Sequence, residues 1–436
     1  MFSFIKRTHV LGSLFFYFAH SFSLQGETNF PNNCNSSTDL YETIQCIVSN
    51  HPNSRIEGAK LQEMMGRKKI ASYYFPSNPS FSNYIANRRS SSNVSLFPES
   101  DSITNNFQLM VNQEIFTNGK REIMIQIADE EFQTQVLQIE STDRALEFDF
   151  LKKIVQYQFL DKEEKNYFES LQLVSELKNI SKARVNLGLS PGIDESLSEA
   201  EEIRLYRTWN QFKRYKENLK SSILVYLNED FPIEKLKYSE ITIPNNLPKT
   251  KKDLIQFAIQ KRPELKIQEK DIELSVLRRN EIRNQKIPNV SFGAFVQNDG
   301  FNERVVGGMF SFQIPVWRNY EAETSIGSSK IEQSKIFKES VETNIKQEVI
   351  IAITNYVLLS EEMKLFDDVK LGKAEADINH LQEAIKQGKI KVIDAINHQR
   401  ILIQTIINHL SAKSEFEMAK IELLRVLGYK LKDGGQ

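Results

Sequence analysis

Two periods of apolar residues alternate along this chain. Over most of its length apolar positions recur every three or four residues, the spacing of a helix face, but in two regions the period drops to two. In "VVGGMFSFQIPVW" (305–317), Phe310, Phe312 and Ile314 alternate with Met309, Ser311 and Gln313, while in "NVSFGAFVQ" (289–297) Val290, Phe292, Ala294 and Val296 share one face. The turn residues Asp299-Gly300 lie between these runs, which together predict a β-hairpin. A less regular version, "SFSNYIAN" (80–87), a polar loop (88–106) and "FQLMVNQEIF" (107–116), predicts a second hairpin.

What flanks the hairpins also occurs twice. Before each one come a short helical run, a proline (Pro52, Pro263) and a second helical run, with Pro52/Pro263, Ser80/Ser291 and Phe81/Phe292 all 211 positions apart. After each one comes a long helical pair. From Asn319 to about Gln387 no proline intervenes, and the pattern predicts one helix of roughly 68 residues, about 100 Å long. The returning helix, Ile393 to Leu427, carries a seam through Ile393, Ile396, Ile403, Ile407 and Leu410 that Arg400 interrupts. A second stripe runs through Leu402, Ile406, Phe416, Leu423 and Leu427, and two stripes imply two packing neighbours.

"LGLSPGID" around Gly188 and "QGKIKVID" around Gly388 match at an offset of 200 positions, which continues through Ile203/Ile403 and Leu227/Leu427 to Asn228/Gly428. An internal duplication accounts for this alignment. Gly188 and Gly388 then mark the tips of two long helical hairpins, where glycine accepts the positive φ that ends a helix. Asp194 and Asp394 follow at the start of each returning helix, where a carboxylate is favoured by the free N–H groups, so plain capping is one reading of both.

Strands of about ten residues, apolar on one side and small or polar on the other, fit a membrane barrel wall. Trp317, and Phe116 in the matching place, suit the aromatic belt at its edge; an ordinary sandwich core is the competing reading of the aromatics. Four strands cannot close a barrel, so closure requires several chains.

Composition narrows the classes. The 436 residues carry 56 Lys and Arg against 57 Asp and Glu, a balance that argues against a nucleic-acid binder. "MFSFIKRTHVLGSLFFYFAHSFS" reads as a secretory signal peptide cleaved near position 23. The only cysteines, Cys34 and Cys46, follow it; in an oxidising compartment they can pair, and two unpaired thiols are the alternative. No phosphate-binding glycine loop, nucleophile elbow or HExxH pattern occurs, so neither an enzyme nor a cofactor is expected, and the six histidines suggest no metal site. The basic runs 66–69 and 277–286 read as solvated helix faces or as contacts with anionic lipid or the periplasmic rim.

The segments "RPELKIQEKDIELSVLRRNEIRNQKIPNVSFGAF", "MFSFQIPVWRN", "AIKQGKIKVIDA" and "ELLRVLG", in this order and duplicated, resemble the TolC family of outer-membrane efflux proteins over essentially the whole mature chain. The resemblance implies a mostly α membrane protein of α+β class: a homotrimer sharing a twelve-stranded outer-membrane β-barrel continued by a periplasmic α-helical barrel. It implies a passive exit duct in outer-membrane lipid, serving a periplasmic adaptor protein and an inner-membrane pump of the resistance-nodulation-division type. The segment 298–321 looks most like the heavy-metal efflux branch.

Matched by position, Leu187, Gly188 and Leu189 correspond to an adaptor-docking tip, with Gln387, Gly388 and Lys389 as its second version. Asp394 matches an aspartate lining the periplasmic entrance, and Asp194 one that helps hold it shut. The second entrance aspartate is replaced by Asn397, and the gate tyrosine and arginine by Ile385 and Ile390, so apolar packing is expected to do part of the gating. The implied layout is a signal peptide (1–23), helices (24–78), hairpin 1 (79–117), helical hairpin 1 (118–228), a linker (229–252), helices (253–287), hairpin 2 (288–318), helical hairpin 2 (319–428) and a tail (429–436). A periplasmic coiled-coil adaptor or scaffold is the alternative.

Overall fold

The computed structural model describes residues 34, 39–88, 104–227, 231–238, 240–244, 247–248, 250–298, 304–366 and 368–431. The signal peptide expected over 1–23 lies outside the described residues, as does Asn228.

Asp39 starts α1 (Leu40–Asn50) by accepting the Tyr41 N–H at 2.6 Å. Pro52 and Pro263 open α2 (Pro52–Ala71) and α6 (Pro263–Asn284) at the first helical position, where the missing N–H breaks no bond. The second half opens with α5 (Lys251–Lys261), capped by Thr250.

Strands β1 (Ser80–Arg88), β2 (Thr104–Ile115), β3 (Val290–Asn298) and β4 (Arg304–Phe312) form one antiparallel sheet in the order β1-β2-β3-β4. The two hairpins meet through β2 and β3, paired from Phe107↔Asn298 to Ile115↔Val290. Ile314, expected in the last strand, lies beyond its end: the ladder stops at Phe312↔Val290, just before Pro315, which has no N–H to donate.

This register sorts the side chains. Phe81, Ile85, Phe107, Leu109, Val111, Phe292, Val296, Val306, Phe310 and Phe312 fall on one face, and all are exposed in the protomer. The other face carries Ser82, Asn106, Gln108, Asn112, Ser291, Gln297 and Ser311, with Tyr84 and Phe295 as its large rings. Phe295 lies over Gly307, where an added Cβ would sit 2.6 Å from the ring. The outer edges of β1 and β4 have no partner strand among the described residues.

Below the sheet, α3 (Lys120–Asn186) runs unbroken for 67 residues and returns as α4 (Gly192–Leu224). The second long helix differs from the single one expected. It is divided into α7 (Glu321–Met363) and α8 (Asp368–Lys386) before α9 (Val392–Leu427) returns. The break closes with the tight bonds Leu365 N–H to Glu362 O (2.9 Å) and Phe366 N–H to Met363 O (3.2 Å). Phe366 meets the His409 ring of α9 edge-on at 5.5 Å, so tertiary packing ends α7 without a proline or glycine.

The largest core lies midway along the helices. Phe148, Phe150 and Ile154 of α3 pack there with Ile44 and Ile47 of α1, Ile223 of α4, Ile406 and Ile421 of α9, and Phe231, Ile233 and Leu236 around a 3-10 turn (Ile233–Lys235). The disulfide between Cys34 and Cys46 fixes residue 34 to α1, whose Ile44 and Ile47 enter this core. Among the described residues no helix is long and apolar enough to cross a membrane.

Candidate functional site

Both hairpin tips are built the same way. Gly188 and Gly388 take φ of 69° and 66°. The Leu189 N–H reaches back to Arg184 O (2.8 Å) and the Gly188 N–H to Val185 O (2.9 Å); Lys389 and Gly388 repeat the pattern on Ala384 O and Ile385 O, each at 3.0 Å. These paired bonds satisfy the last carbonyls of each outgoing helix, and only glycine takes the required φ without strain. The two tips adjoin, because an added Cβ at Gly388 would lie 3.3 Å from the Arg184 guanidinium. Leu187 is 72% exposed and Leu189 67%, so two large apolar side chains stand in the open at the tip of hairpin 1; Gln387 and Lys389 are exposed at the other.

The entrance residues separate into two groups. Asp394 and Asn397 lie one turn apart on the exposed side of α9. Ile385 instead faces inward, 4% exposed, in a tip core with Leu173, Leu177, Leu381, Val392 and Ile396, and Ile390 packs at its margin. The isoleucines therefore hold the two hairpins of one chain together and do not join Asp394 on its surface. Asp194, in the first turn of α4, accepts a hydrogen bond from the Ser190 hydroxyl. Ile393, expected in the buried seam, is on the exposed side as well.

Above the tips are polar contacts that reading for apolar stripes missed. Glu201 of α4 is buried and accepts from Arg204 and from Arg400 of α9. Burial acts to raise its carboxyl, but the bonds and charges of the two arginines outweigh that and hold it below the ordinary range. The interruption of the α9 seam at Arg400 was the available signal; its partner, on the other hairpin, was not visible. Beside it, Gln399 donates to Ser170 of α3. Further up, burial pushes the Glu163 carboxyl up, and the Glu415 charge pushes it further, to about 7. Both line a groove of about 400 Å³ between α3, α4 and α9.

At the other end, three of the four junctions between strand and helix are tied to one another. Arg121 donates to the Ser72 and Tyr73 carbonyls and lies 4.7 Å from the Tyr74 ring centre. Thr117 donates to Pro288 O (2.8 Å) and Lys120 to Asn289 (2.8 Å). Gly119 and Tyr320 both take left-handed φ where the chain turns from strand into helix. Trp317 is 96% exposed there, in company with Tyr73, Tyr74 and Phe75.

No known protein-family profile matches the chain. No curated protein matches it in sequence either. Solved structures do match in shape. The Campylobacter jejuni CmeC outer membrane channel is 12% identical with a TM-score of 0.74, over 89% of this chain and 85% of that one. The Vibrio cholerae outer membrane protein VceC is 13% identical with a TM-score of 0.72, over 89% and 96%. CusC, described as forming a transmembrane channel, is 13% identical with a TM-score of 0.69, over 91% and 94%. The chain thus has the fold of these outer-membrane channel chains, mostly helical with one four-stranded sheet.

Proposed function

We propose that the chain is an outer-membrane exit duct of the TolC family, a passive conduit completed by three copies and extending into the periplasm of a diderm bacterium. The observation that carries this reading is the sheet: one face mostly apolar and largely exposed, the other largely polar, and two outer edges without a partner strand among the described residues. Exposed edges and an exposed apolar face are costly in water and are removed together when four-strand sheets join edge to edge in a bilayer. Three such sheets make a twelve-stranded wall, and the internal duplication supplies two hairpins to each.

The helices then form the periplasmic conduit. Phe337, Ile351, Leu358 and Leu365, on one heptad line of α7 and its end, are exposed in the protomer and await a neighbouring helix. The tips dock a periplasmic adaptor through Leu187 and Leu189, with Gln387 and Lys389 beside them, and through that adaptor an inner-membrane pump of the resistance-nodulation-division type. Asp394 and Asn397 narrow the entrance. A heavy-metal substrate, suggested by the segment 298–321, rests on that resemblance alone.

The test is the protein mass of the mature chain, extracted from membranes in mild detergent and measured by light scattering. A three-chain mass supports the duct. A detergent-free monomer in the soluble fraction overturns it in favour of a periplasmic scaffold. In planar bilayers Asp394→Ala is expected to raise conductance or weaken block by divalent cations, and no change in either removes Asp394 from the entrance.

A further inference from the structure

An apolar hollow of about 320 Å³ opens between the start of β3 and the segment after β4, at the lower end of the range for small-molecule sites. Ile287, Pro288, Val290, Phe310, Ile314 and Pro315 form most of its wall. The Thr117 hydroxyl, also in the wall, is already committed to Pro288 O, so the hollow offers little to a polar ligand. Val290 and Phe310 belong to the apolar face of the sheet, so the hollow opens on that side.

Next to it lie two cations that meet no carboxylate among the described residues. Lys286 directly precedes Ile287, and Arg283 is one turn back along the chain; both are exposed. Several neighbouring cations differ: Arg278 pairs with Glu131 at 2.7 Å, Arg318 with Glu323 at 2.6 Å and Lys68 with Asp129 at 2.5 Å, while Arg279 donates to the Asn280 side chain. Arg283 gains from the C-terminus of α6, so Lys286, beyond the helix, is the clearer sign of an unmet anion. The exposed Trp317 completes the arrangement with an amphipathic ring of the kind found at bilayer surfaces.

We propose that this junction is a docking site for an anionic glycerophospholipid of the leaflet nearest the helices. The acyl chains lie against the hollow, and the headgroup phosphate is met by Lys286 and Arg283. A free anion would leave the hollow empty, and a neutral apolar molecule would leave the cations unmatched; an anionic amphiphile satisfies both. The proposal rests on the reading that the sheet sits in a bilayer, and the experiment keeps the two apart.

The chain has two tryptophans, so a Trp209→Phe background leaves Trp317 as the sole indole. That protein is inserted in phosphatidylcholine vesicles containing a minor fraction of brominated phosphatidylglycerol or, in parallel, brominated phosphatidylcholine. Brominated phosphatidylglycerol is expected to quench Trp317 with a relative preference of about fivefold or more, the factor one cation contributes near an anionic surface. The double variant Arg283→Gln, Lys286→Gln should quench equally with both lipids while keeping the oligomeric mass of its parent. Equal quenching in the parent overturns the lipid site and leaves the duct standing. Absence of quenching by either lipid, with protein not retained by the vesicles, overturns both.

Discussion

Arg400 of α9 donates through Nε to the buried carboxylate of Glu201 on α4 at 3.0 Å, and a second time through its Nη2, so an ion pair crosses from the second helical hairpin to the first. Glu201 is held on its own helix by Arg204 as well, and the two arginines remain about half exposed. The carboxylate is thus the buried partner and the arginines are the ones that can return to water.

Replacing Arg400 by alanine is therefore expected to cost about 1–2 kcal/mol, well below the loss from stripping a buried charge of every partner. The loss should appear as faster hydrogen exchange in α4 and α9 near the tips, with the sheet unaffected. Because Glu201 titrates below its ordinary value in the folded chain, its contribution is present above the unfolded carboxylate pKa and is lost as pH falls through the folded one. The Arg400→Ala effect should accordingly fade in acid.

Glu163 carries the opposite sign. With its folded pKa pushed up to about 7, the stability it contributes is full below the unfolded value near 4.5 and lost as pH rises through about 7. Glu163→Gln should leave unfolding unchanged at pH 4.5 or below and stabilise the protein at pH 8 by about 1 kcal/mol, allowing for solvent in the groove. A thermal melt at the two pH values decides it, and equal effects at both would mean that neither burial nor Glu415 raises the Glu163 carboxyl.

The disulfide of Cys34 and Cys46 closes a loop with a sequence separation of 12, for which chain entropy alone gives up to about 3 kcal/mol. Cys34→Ser should lower the melting temperature and expose α1 to proteolysis first, since Ile44 and Ile47 hold it to the central core. Reduction of the parent protein should reproduce the effect, and the variant should be insensitive to reductant.

The two tip glycines differ in their surroundings, and their variants should differ too. An alanine at either must adopt positive φ, costing about 1 kcal/mol. Gly188→Ala meets open space, whereas Gly388→Ala also crowds Arg184 at 3.3 Å. Gly388→Ala should be the more destabilising of the pair in denaturant titrations, and an equal cost would show that Arg184 moves aside freely.

Much of this architecture was legible because it is written locally. The alternation of Phe310 and Phe312 with Met309 and Ser311, the prolines at 52 and 263, and the glycines at 188 and 388 each act within a few residues of themselves. What escaped reading depends on residues far apart in the chain. The end of α7 follows from Phe366 meeting His409, the inward turn of Ile385 from Leu173 and Leu177, and the role of Arg400 from Glu201. Apolar periodicity reports which face is buried and is silent about which element buries it.

The pairing of β2 with β3 sets an order for folding. Ile115 and Val290 are neighbours in the sheet yet 175 positions apart in the chain, and Phe107 and Asn298 are 191 apart. Each hairpin can close alone, but an isolated hairpin is marginal, and joining the two must wait until the helices between them have collapsed enough to bring the ends together. An exported chain in which only the first hairpin has formed leaves a β2 edge with nothing beside it. Until β3 arrives, that edge must be shielded by something other than the chain itself.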